Sequence, residues 1–435
     1  MADPSDIAHL LRRTEFVARP ARVTALSAMT LPQAVDDVLD IARNASPQPP
    51  AGLLVHDKER GWEQFVEATH WWLASMLTRP RPFQEKMALF WHGHFTSSWE
   101  SVGRTDHMMS QNQLYRSMAL GNYRQLAQRM SIEPAMLIYL SNGFNKKGEP
   151  NENFGRELLE LFLLGAGNYT EADVHACARA WTGHNYDWDT RRYVFRSHHH
   201  DTGMKTFLGT TRNWDGPEII DFVLRDHPTV RVTAARHIAR KLWEFLAHPG
   251  PPAGVVEALG DVLLANSMEL RPMIRALLLR PEFYATAAKQ GLVRTPIDWI
   301  VALAFHTGLP IDQMGATWNS GRMGQVLFHP PNVSGWRPNA AWLNTSAVSG
   351  RAGLARHLTW KLRDKGGYDF LNDLSVEAAV DHVAGVFGIA PLSASTRNAL
   401  IATHRAERSA TRWKNWWAPT DLLTMTMLAP ELHMA

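Results

Sequence analysis

Apolar residues recur every three or four positions through most of this chain, and this spacing limits its fold more than any other feature. The segments at residues 62–77, 114–130 and 234–246 are typical. Because an α-helix has 3.6 residues per turn, this spacing gathers the apolar side chains on one face of each helix. Alternating patterns typical of strands are nearly absent from the sequence. The sequence therefore predicts an all-α fold, a large multi-helix globular bundle.

Two segments depart from the helical pattern. Near residues 186–207, aspartate and threonine interrupt aromatic and valine positions, which predicts a short β-hairpin. Near residues 321–345, proline, tryptophan and asparagine predict a long ordered loop. Breaks rich in proline and glycine suggest three parts that pack as one unit. These parts are an N-terminal helical arm, a central helical body with the candidate site and a C-terminal helical part, at residues 1–50, 51–290 and 291–435.

Composition excludes several classes of protein. A hydrophobic content of 45% with 20% charged residues excludes a disordered chain. The net charge is +3 without any block of lysine or arginine, so we expect no nucleic-acid partner. The longest apolar stretches, such as residues 299–305, are far shorter than the roughly 18 residues of a membrane span.

Cysteine content and the first residues bear on the compartment. Cys177 is the single cysteine, which excludes an internal disulfide and a site with several thiolate ligands. Residues 1–20 carry charged side chains and no apolar core of a signal peptide. We therefore expect a cytoplasmic protein, or an exported one if a signal peptide has been removed.

The first candidate for chemistry is a pair of histidines within the string FWHGHF at residues 90–95. His92 and His94 stand one residue apart among aromatic residues, like the paired ligands of many zinc, iron and copper sites. Gly93 is expected to break the helix and bring the two imidazoles within about 5 Å of each other or of one shared ion. The alternative is that both rings hydrogen-bond to backbone carbonyls at a helix end.

A second candidate is the string NENFGRELLELFLL at residues 151–164. Leucines cover most of the circumference of this helix, which predicts burial, and a buried carboxylate must be paired or bound to a metal. Arg156 can pair with acidic neighbours one turn away, including Glu160. Glu157 has no such partner on the helix. We therefore expect Glu157 to be a buried metal ligand facing His92 and His94, and Glu160 to be catalytic or part of an ion pair.

His175 and Arg179 form a third candidate, because they share one helical stripe with Glu171 at a spacing of four residues. They fit a catalytic role beside the site. A row of surface salt bridges explains the same spacing.

The fourth candidate is the string HHHDTGMK at residues 198–205, where histidine and aspartate offer nitrogen and oxygen ligands. Consecutive residues in an extended segment point to opposite sides, so His199 and His200 cannot both enter one site. We expect His200 and Asp201 to be metal ligands that lie near His92 or His94. A solvated surface turn is the alternative.

The last candidate is the string FHPPNVSGWRPNAAW at residues 328–342. Trp336 could stack on a sugar or an aromatic ligand, and Asn332 could supply amide hydrogen bonds. Together with Arg156, these residues are the predicted substrate-binding set. Loops rich in tryptophan also serve simply as packing devices.

Six strings occur in order along residues 8–360 and resemble the bacterial family called "domain of unknown function 1800". They are HLLRRTEF, FWHGHF, NENFGRELLELFLLG, YTEADVHACARAWTG, HHHDTGMKTFLG and HPPNVSGWRPNAAWLNTS. The resemblance implies an all-helical bacterial protein. It implies no reaction and no functional residues, because the family name records that none is assigned.

The side chains favour a metal-dependent enzyme that acts on a small-molecule or carbohydrate-like substrate. A mixed set of histidine and carboxylate ligands suits divalent iron, zinc or manganese. Iron would favour an oxidoreductase, whereas zinc or manganese would favour a hydrolase. The alternative is a non-catalytic helical binding or assembly protein, with the tryptophan-rich loop recognising a protein partner. The predicted ligands are His92, His94, Glu157, His200 and Asp201, and the predicted catalytic residues are Glu160, His175 and Arg179.

Overall fold

The computed structural model describes residues 1–43, 48–79, 81–289, 291–364, 366–410 and 414–435. Within these ranges the protein is all-α, as the sequence predicts, and it carries two small antiparallel sheets. The N-terminal third contains nine helices, α1 to α9, at Pro4–Thr14, Pro20–Ser27, Leu31–Leu39, Gly61–Thr78, Phe83–His94, Trp99–Val102, Thr105–Ser117, Tyr123–Ser131 and Pro134–Tyr139.

The middle of the chain carries the short strands and two helices that widen into π-helical turns. Helix α10 (Glu152–Glu157) continues as a π-helix over Leu158–Leu164, and α12 (Gly216–Asp221) continues as one over Phe222–Asp226. Helix α11 and strands β1 to β4 lie at Glu171–Ala180, His184–Asp187, Arg192–Phe195, Lys205–Phe207 and Thr210–Arg212.

Each strand pairs with its neighbour in the chain. Strands β1 and β2 form the predicted hairpin, in which Tyr186 lies opposite Tyr193. Strands β3 and β4 form a second hairpin that the sequence pattern did not indicate. Its strands are three residues long, too short for a visible alternation of apolar and polar residues.

Eleven further α-helices follow α12 in the described chain. Their order is α13 to α23, at Val230–Leu246, Val255–Ala265, Leu270–Leu278, Thr286–Lys289, Pro296–Thr307, Ala316–Arg322, Thr345–Asp364, Val376–Val386, Ala394–Ser409, Lys414–Met427 and Pro430–His433. The predicted proline- and tryptophan-rich loop lies between α18 and α19, with a short 3-10 turn at Asn339–Leu343.

One hydrophobic core joins the described residues, from Ile7 in α1 to Leu432 in α23. Its members come from all three predicted parts of the chain. The division into those parts remains a prediction, and the boundary near residue 290 falls on Gln290, which lies outside the described residues. None of the described helices combines the length and the apolar character needed to cross a membrane.

A buried ion pair fixes α5 against α7. The Glu85 carboxylate accepts two hydrogen bonds from the Arg116 guanidinium, Nε to Oε1 at 2.9 Å and Nη2 to Oε2 at 2.7 Å. The Trp72 indole donates to the same carboxylate. Because a buried charge without a partner would cost several kcal/mol, this bonding favours a single arrangement of the helices that carry FWHGHF.

Candidate functional site

Three side chains from the strand region converge into one group that could hold a metal ion. His184 begins β1, His200 follows a 3-10 turn after β2, and Asp215 is the N-cap residue of α12. The ligand atoms of these three residues all lie within 4.8 Å of one another. We call this group the candidate metal centre. Within the described residues, no other group of three or more histidine, cysteine or acidic side chains meets that distance.

Hydrogen bonds orient both imidazoles of the candidate metal centre. His200 Nδ1 donates to the carbonyl of Thr182 at 2.8 Å, so its Nε2 carries a free lone pair and lies 4.0 Å from Asp215 Oδ1. His184 Nδ1 bonds to the Tyr193 hydroxyl at 2.9 Å, and its Nε2 lies 2.8 Å from the same carboxylate oxygen. Fixing the second ring nitrogen in this way is characteristic of histidines that bind metals.

The candidate metal centre is buried on one side and open on the other. His184 and His200 are buried, whereas 43% of the Asp215 side chain is exposed. Burial opposes ionisation of Asp215, but the hydrogen bond from His184 and the nearby charges outweigh it, and the pKa of Asp215 is lowered. The carboxylate is therefore ionised at neutral pH and accessible to solvent.

Gly183 makes the close approach of the two histidines possible. Its φ is +80°, in the left-handed region that favours glycine. A Cβ on this residue would stand 2.7 Å from the Arg196 carbonyl oxygen and 3.1 Å from His200. Any other residue here would push apart the two segments that carry His184 and His200.

Among the predicted ligands, His200 is the one that lies in this group, and its partners differ from those expected. Asp201 instead pairs with Arg179, with Nε to Oδ2 at 2.7 Å. His199 Nδ1 bonds to Asn185 Oδ1 at 3.1 Å, on another side of the segment. The ion pair with Arg179 occupies the Asp201 carboxylate, and Asp215 stands where the sequence predicted Asp201.

The expected pairing of His92 with His94 is wrong, because Gly93 does not break the helix. Helix α5 continues through His94, so side chains two residues apart point about 200° apart around its axis. The close packing at this point depends on Gly335 of the tryptophan-rich loop, because a Cβ there would stand 2.5 Å from the Gly93 carbonyl oxygen. A Cβ on Gly93 itself would make only ordinary contact with Trp336, at 3.9 Å.

His92 is a core residue. Its Nε2 accepts a hydrogen bond from the backbone N–H of Phe328 at 3.0 Å, and its ring lies 5.3 Å from that of Trp336. Burial lowers the pKa of His92 to about 3, so the ring is neutral at any physiological pH. Its bonding explains its place in the motif without a metal ion.

His94 belongs to a different cluster, beneath the π-helical turn. Its Nδ1 accepts from Lys241 Nζ at 3.1 Å, and its Nε2 lies 3.4 Å from the Tyr123 hydroxyl. Lys241 also donates to the carbonyl of Leu161 at 3.1 Å. Burial lowers the pKa of Lys241 to about 8, although Glu244 opposes the shift. A widened turn often marks a functional segment, and here its free carbonyls accept bonds from this cluster.

Glu157 is half-buried, not buried as expected, and it lies outside the candidate metal centre. Burial and the neighbouring Glu160 raise the pKa of Glu157, while Arg156 opposes the shift. The Glu160 carboxylate accepts a hydrogen bond from the Tyr169 hydroxyl, and no ion pair joins Glu160 to Arg156 among the described contacts. Both carboxylates are half-buried.

Glu171 and His175, which share one face of α11, make hydrogen bonds to neighbouring segments at the protein surface. Arg156 pairs with Glu171 at 2.6 Å, and His175 Nδ1 lies 3.0 Å from Glu152 Oε1. The side chain of His175 is 53% exposed. The structure thus places Arg156 in a surface ion pair and His175 in a surface hydrogen bond, while Arg179 pairs with Asp201, the neighbour of His200.

The tryptophan-rich loop forms part of the wall of a cavity of about 330 Å³, which we call the tryptophan cleft. Trp336 lines this cleft together with His94 and Lys241. Asn332 is exposed and accepts a bond from the backbone N–H of Ser334 within its own turn. The wall consists of Leu89, Phe90, Gly93, His94, Lys241, Glu244, Phe245, Thr295, Gln325, Ser334, Trp336, Pro338 and Trp342.

Sequence reasoning missed three residues of these sites: His184, Asp215 and Lys241. Asp215 carried a signal, because it precedes Gly216, Pro217 and Glu218 and forms a capping box with Glu218. That signal was visible only as a helix start. His184 is one of 20 histidines, and nothing in its local sequence indicates that the chain returns to it at His200.

Comparison with known proteins supplies a family and no function. No curated protein and no solved structure matches the chain. Residues 9–434, nearly the whole chain, match the model of a family described as "Protein of unknown function (DUF1800)". This match extends the resemblance seen at residues 8–360 almost to the end of the sequence. The chain is a member of the DUF1800 family.

Proposed function

We propose that this protein is a metal-dependent enzyme whose divalent metal ion is held by His184, His200 and Asp215. One observation carries the proposal: both imidazoles are fixed through Nδ1, and both present Nε2 to a single carboxylate that solvent reaches. Two histidines and one carboxylate leave coordination positions open, as catalytic sites require and structural sites do not.

The residues around the candidate metal centre support this role. Tyr193 and the Thr182 carbonyl hold the imidazoles, and Asp215 carries the negative charge that a divalent cation needs. The ring of Phe195 lies 4.9 Å from that of His184 and 5.4 Å from that of His200, and its exposed face is available for stacking. We propose a small-molecule or carbohydrate-like substrate that packs against this ring.

The metal would decide the reaction. Iron would support oxidation, and the same ligand set occurs in non-haem iron oxygenases, whereas zinc or manganese would activate water for hydrolysis. Iron, zinc and manganese are therefore tested separately in the same experiment. We also propose a cytoplasmic location, since the single cysteine, Cys177, is buried and free.

The test is metal binding by untagged protein. Apo protein prepared with a chelator is loaded with ferrous iron, zinc or manganese in turn, and the bound metal is measured by mass spectrometry. We expect about one equivalent of one of these metals, in line with one candidate centre in the described chain. The His200→Ala variant should lose the metal, whereas His198→Ala should keep it, because His198 is an exposed neighbour outside the group.

Two results would count against the proposal. If His198→Ala and His200→Ala bind metal equally well, His200 is not a ligand and the assignment of the candidate metal centre is wrong. Failure of the wild-type protein to bind any of the three metals would favour the non-catalytic binding protein. Oxygen uptake by the iron-loaded protein, compared with hydrolysis of nitrophenyl esters by the zinc- or manganese-loaded protein, separates the two reaction classes.

A further inference from the structure

The tryptophan cleft continues into a smaller inner chamber of about 50 Å³. Arg12, Arg13, Lys86 and Arg294 lie in the wall of this inner chamber. The cleft and the chamber share five wall residues, which are Glu244, Phe245, Thr295, Pro338 and Trp342. The two cavities are therefore neighbours along one path, with aromatic rings at the outer end and cations at the inner end.

Positive charge exceeds negative charge in the wall of the inner chamber. Its four cationic side chains share the wall with two acidic side chains, Asp298 and Glu244, and Asp298 is paired with Lys86 at 2.6 Å. Burial, together with repulsion from Arg12, lowers the pKa of Arg13 to about 9 and that of Arg294 to about 10. Both guanidinium groups still carry their charge at neutral pH, so the wall favours an added anion.

Several buried donors in these walls lack a hydrogen-bond partner among the described residues. Arg13 is 2% exposed, and its Nε and Nη1 are unpaired although Nη2 donates to the Ala288 carbonyl. Arg294 is 5% exposed, and its Nη1 is unpaired although Nε donates to the Met434 carbonyl at 3.1 Å. The indole N–H groups of Trp336 and Trp342 are unpaired as well.

All of these unpaired groups are donors, which identifies the chemistry of the missing partner. Buried donors are normally satisfied, and leaving one unsatisfied costs about 1–3 kcal/mol. A guanidinium pair matches the geometry of a carboxylate or phosphate, which only accepts hydrogen bonds when ionised. The cleft and chamber thus lack an acceptor group with negative charge.

We propose that the tryptophan cleft and the inner chamber together bind a small organic oxyanion. Its carboxylate or phosphate lies between Arg13 and Arg294, and its aromatic or sugar-like body lies against Trp336 and Trp342. This site shares no wall residue with the candidate metal centre, so the proposal stands independently of the proposed metal.

Calorimetric titration with four probes tests the proposal: inorganic phosphate, acetate, phenyl phosphate and benzoate. The two aromatic probes should bind at least about tenfold more tightly than their simple counterparts, because burying the ring on tryptophan adds to the charged contact. A lower Kd for phenyl phosphate than for benzoate identifies the head group as phosphate, and the reverse order identifies it as carboxylate.

Variants locate the binding. Arg294→Met should raise the Kd of the aromatic probes roughly tenfold or more, since it removes charged hydrogen bonds. Trp342→Phe keeps an aromatic ring and removes one indole N–H, so it should raise the Kd of the aromatic probes roughly fivefold. Arg225→Met, at a guanidinium that is 54% exposed on the surface, is the matched control and should change nothing. If Arg294→Met does not fold, Trp342→Phe carries the test.

Three outcomes would overturn the proposal. One is the absence of saturable binding by all four probes at millimolar concentration. A second is unchanged binding in both cleft variants. A third is equal loss of binding in His200→Ala, which would assign the probes to the candidate metal centre. Failure of metal loading alone leaves the oxyanion site untouched.

Discussion

Two regions of this molecule each bring two histidines into aromatic surroundings, yet they are built differently. In the candidate metal centre, each imidazole uses one nitrogen for orientation and presents the other to Asp215. On α5, the nitrogens of His92 and His94 bond to protein groups, the Phe328 amide in one case and Lys241 in the other. The spacing of histidines in a sequence therefore says less about metal binding than the partner of each ring nitrogen.

The two regions also differ in how they reach solvent. His92 is buried among rings at the centre of the core, whereas Asp215 opens the candidate metal centre to water. A metal site needs a path for the ion and a charge to compensate it. The following predictions test whether this contrast between a structural region and a functional region is real.

The largest expected effect is on stability, from His92→Ala. This change removes a buried ring and leaves the Phe328 N–H without its acceptor, so we expect a loss of about 4 kcal/mol in the free energy of unfolding. The measurement is chemical denaturation followed by circular dichroism, with metal content determined in parallel. Bound metal should stay unchanged. If His92→Ala is as stable as the wild type but no longer binds metal, His92 is a metal ligand after all.

The second effect is on metal affinity, from Asp215→Asn. Asparagine keeps the N-cap of α12, because its side-chain oxygen can also accept from the backbone, but it removes the charge on the ligand. We expect the Kd of the metal to rise by about a hundredfold or more, since loss of a group that only supports a ligand already costs about 10- to 100-fold. Asp201→Asn is the matched control, since Asp201 adjoins His200 but pairs with Arg179. Equal effects of the two changes would contradict the assignment.

The third effect is on the acid side of the stability curve. The pKa of His92 in the folded protein is about 3, below its ordinary value of 6.5, so the unfolded chain takes up the proton first as the pH falls. Stability is therefore full above pH 6.5 and decreases as the pH falls towards 3. Between pH 7 and pH 5 this histidine alone contributes a loss of about 2 kcal/mol.

His92→Gln tests that contribution, because glutamine offers an acceptor to the Phe328 N–H and does not titrate. The fall in unfolding free energy between pH 7 and pH 5 should be about 2 kcal/mol smaller in this variant than in the wild type. His198→Gln, at an exposed histidine, should leave the fall unchanged. An identical pH dependence in all three proteins would mean that His92 has the same pKa in the folded and the unfolded chain, which would contradict its burial as a neutral ring.

The sequence predicted the fold well because the fold rests on a repeated local signal. Apolar spacing marks each amphipathic helix from its own residues, and the aromatic and valine run marks the first hairpin. The π-helical turn at Leu158–Leu164 has no such signal, since its leucines also suit an α-helix. It leaves the carbonyl of Leu161 free to accept bonds from His237 and Lys241, whereas Glu157 lies before the turn, at the end of α10.

The candidate site was harder to predict because its members meet through tertiary structure. His200 could be singled out from its own turn, whereas its partners His184 and Asp215 lie 16 and 15 residues away in different elements. Their meeting depends on the positive φ of Gly183 and on the start of α12. The FWHGHF string misled because the conformation of one glycine decides whether its two histidines converge.

The smallest expected effect comes from Tyr193→Phe, and it tests the orientation of a ligand without removing one. The hydroxyl of Tyr193 bonds to His184 Nδ1 at 2.9 Å, and its ring stacks on the imidazole with an interplanar angle of 20°. Phenylalanine keeps the ring and removes the bond that orients His184. We expect the Kd of the metal to rise roughly tenfold, the lower end of the range for such supporting groups.

Tyr186→Phe is the matched control for this change, since Tyr186 lies directly opposite Tyr193 in the hairpin. Its hydroxyl also bonds to a histidine, His107 Nε2 at 2.8 Å, but that histidine lies outside the candidate metal centre. Removing the Tyr186 hydroxyl should leave the Kd of the metal unchanged. If both changes weaken metal binding equally, the hairpin acts through its general stability and the hydroxyl of Tyr193 has no specific role. If only Tyr193→Phe weakens it, the oriented imidazole is what distinguishes this region from the buried histidines of α5.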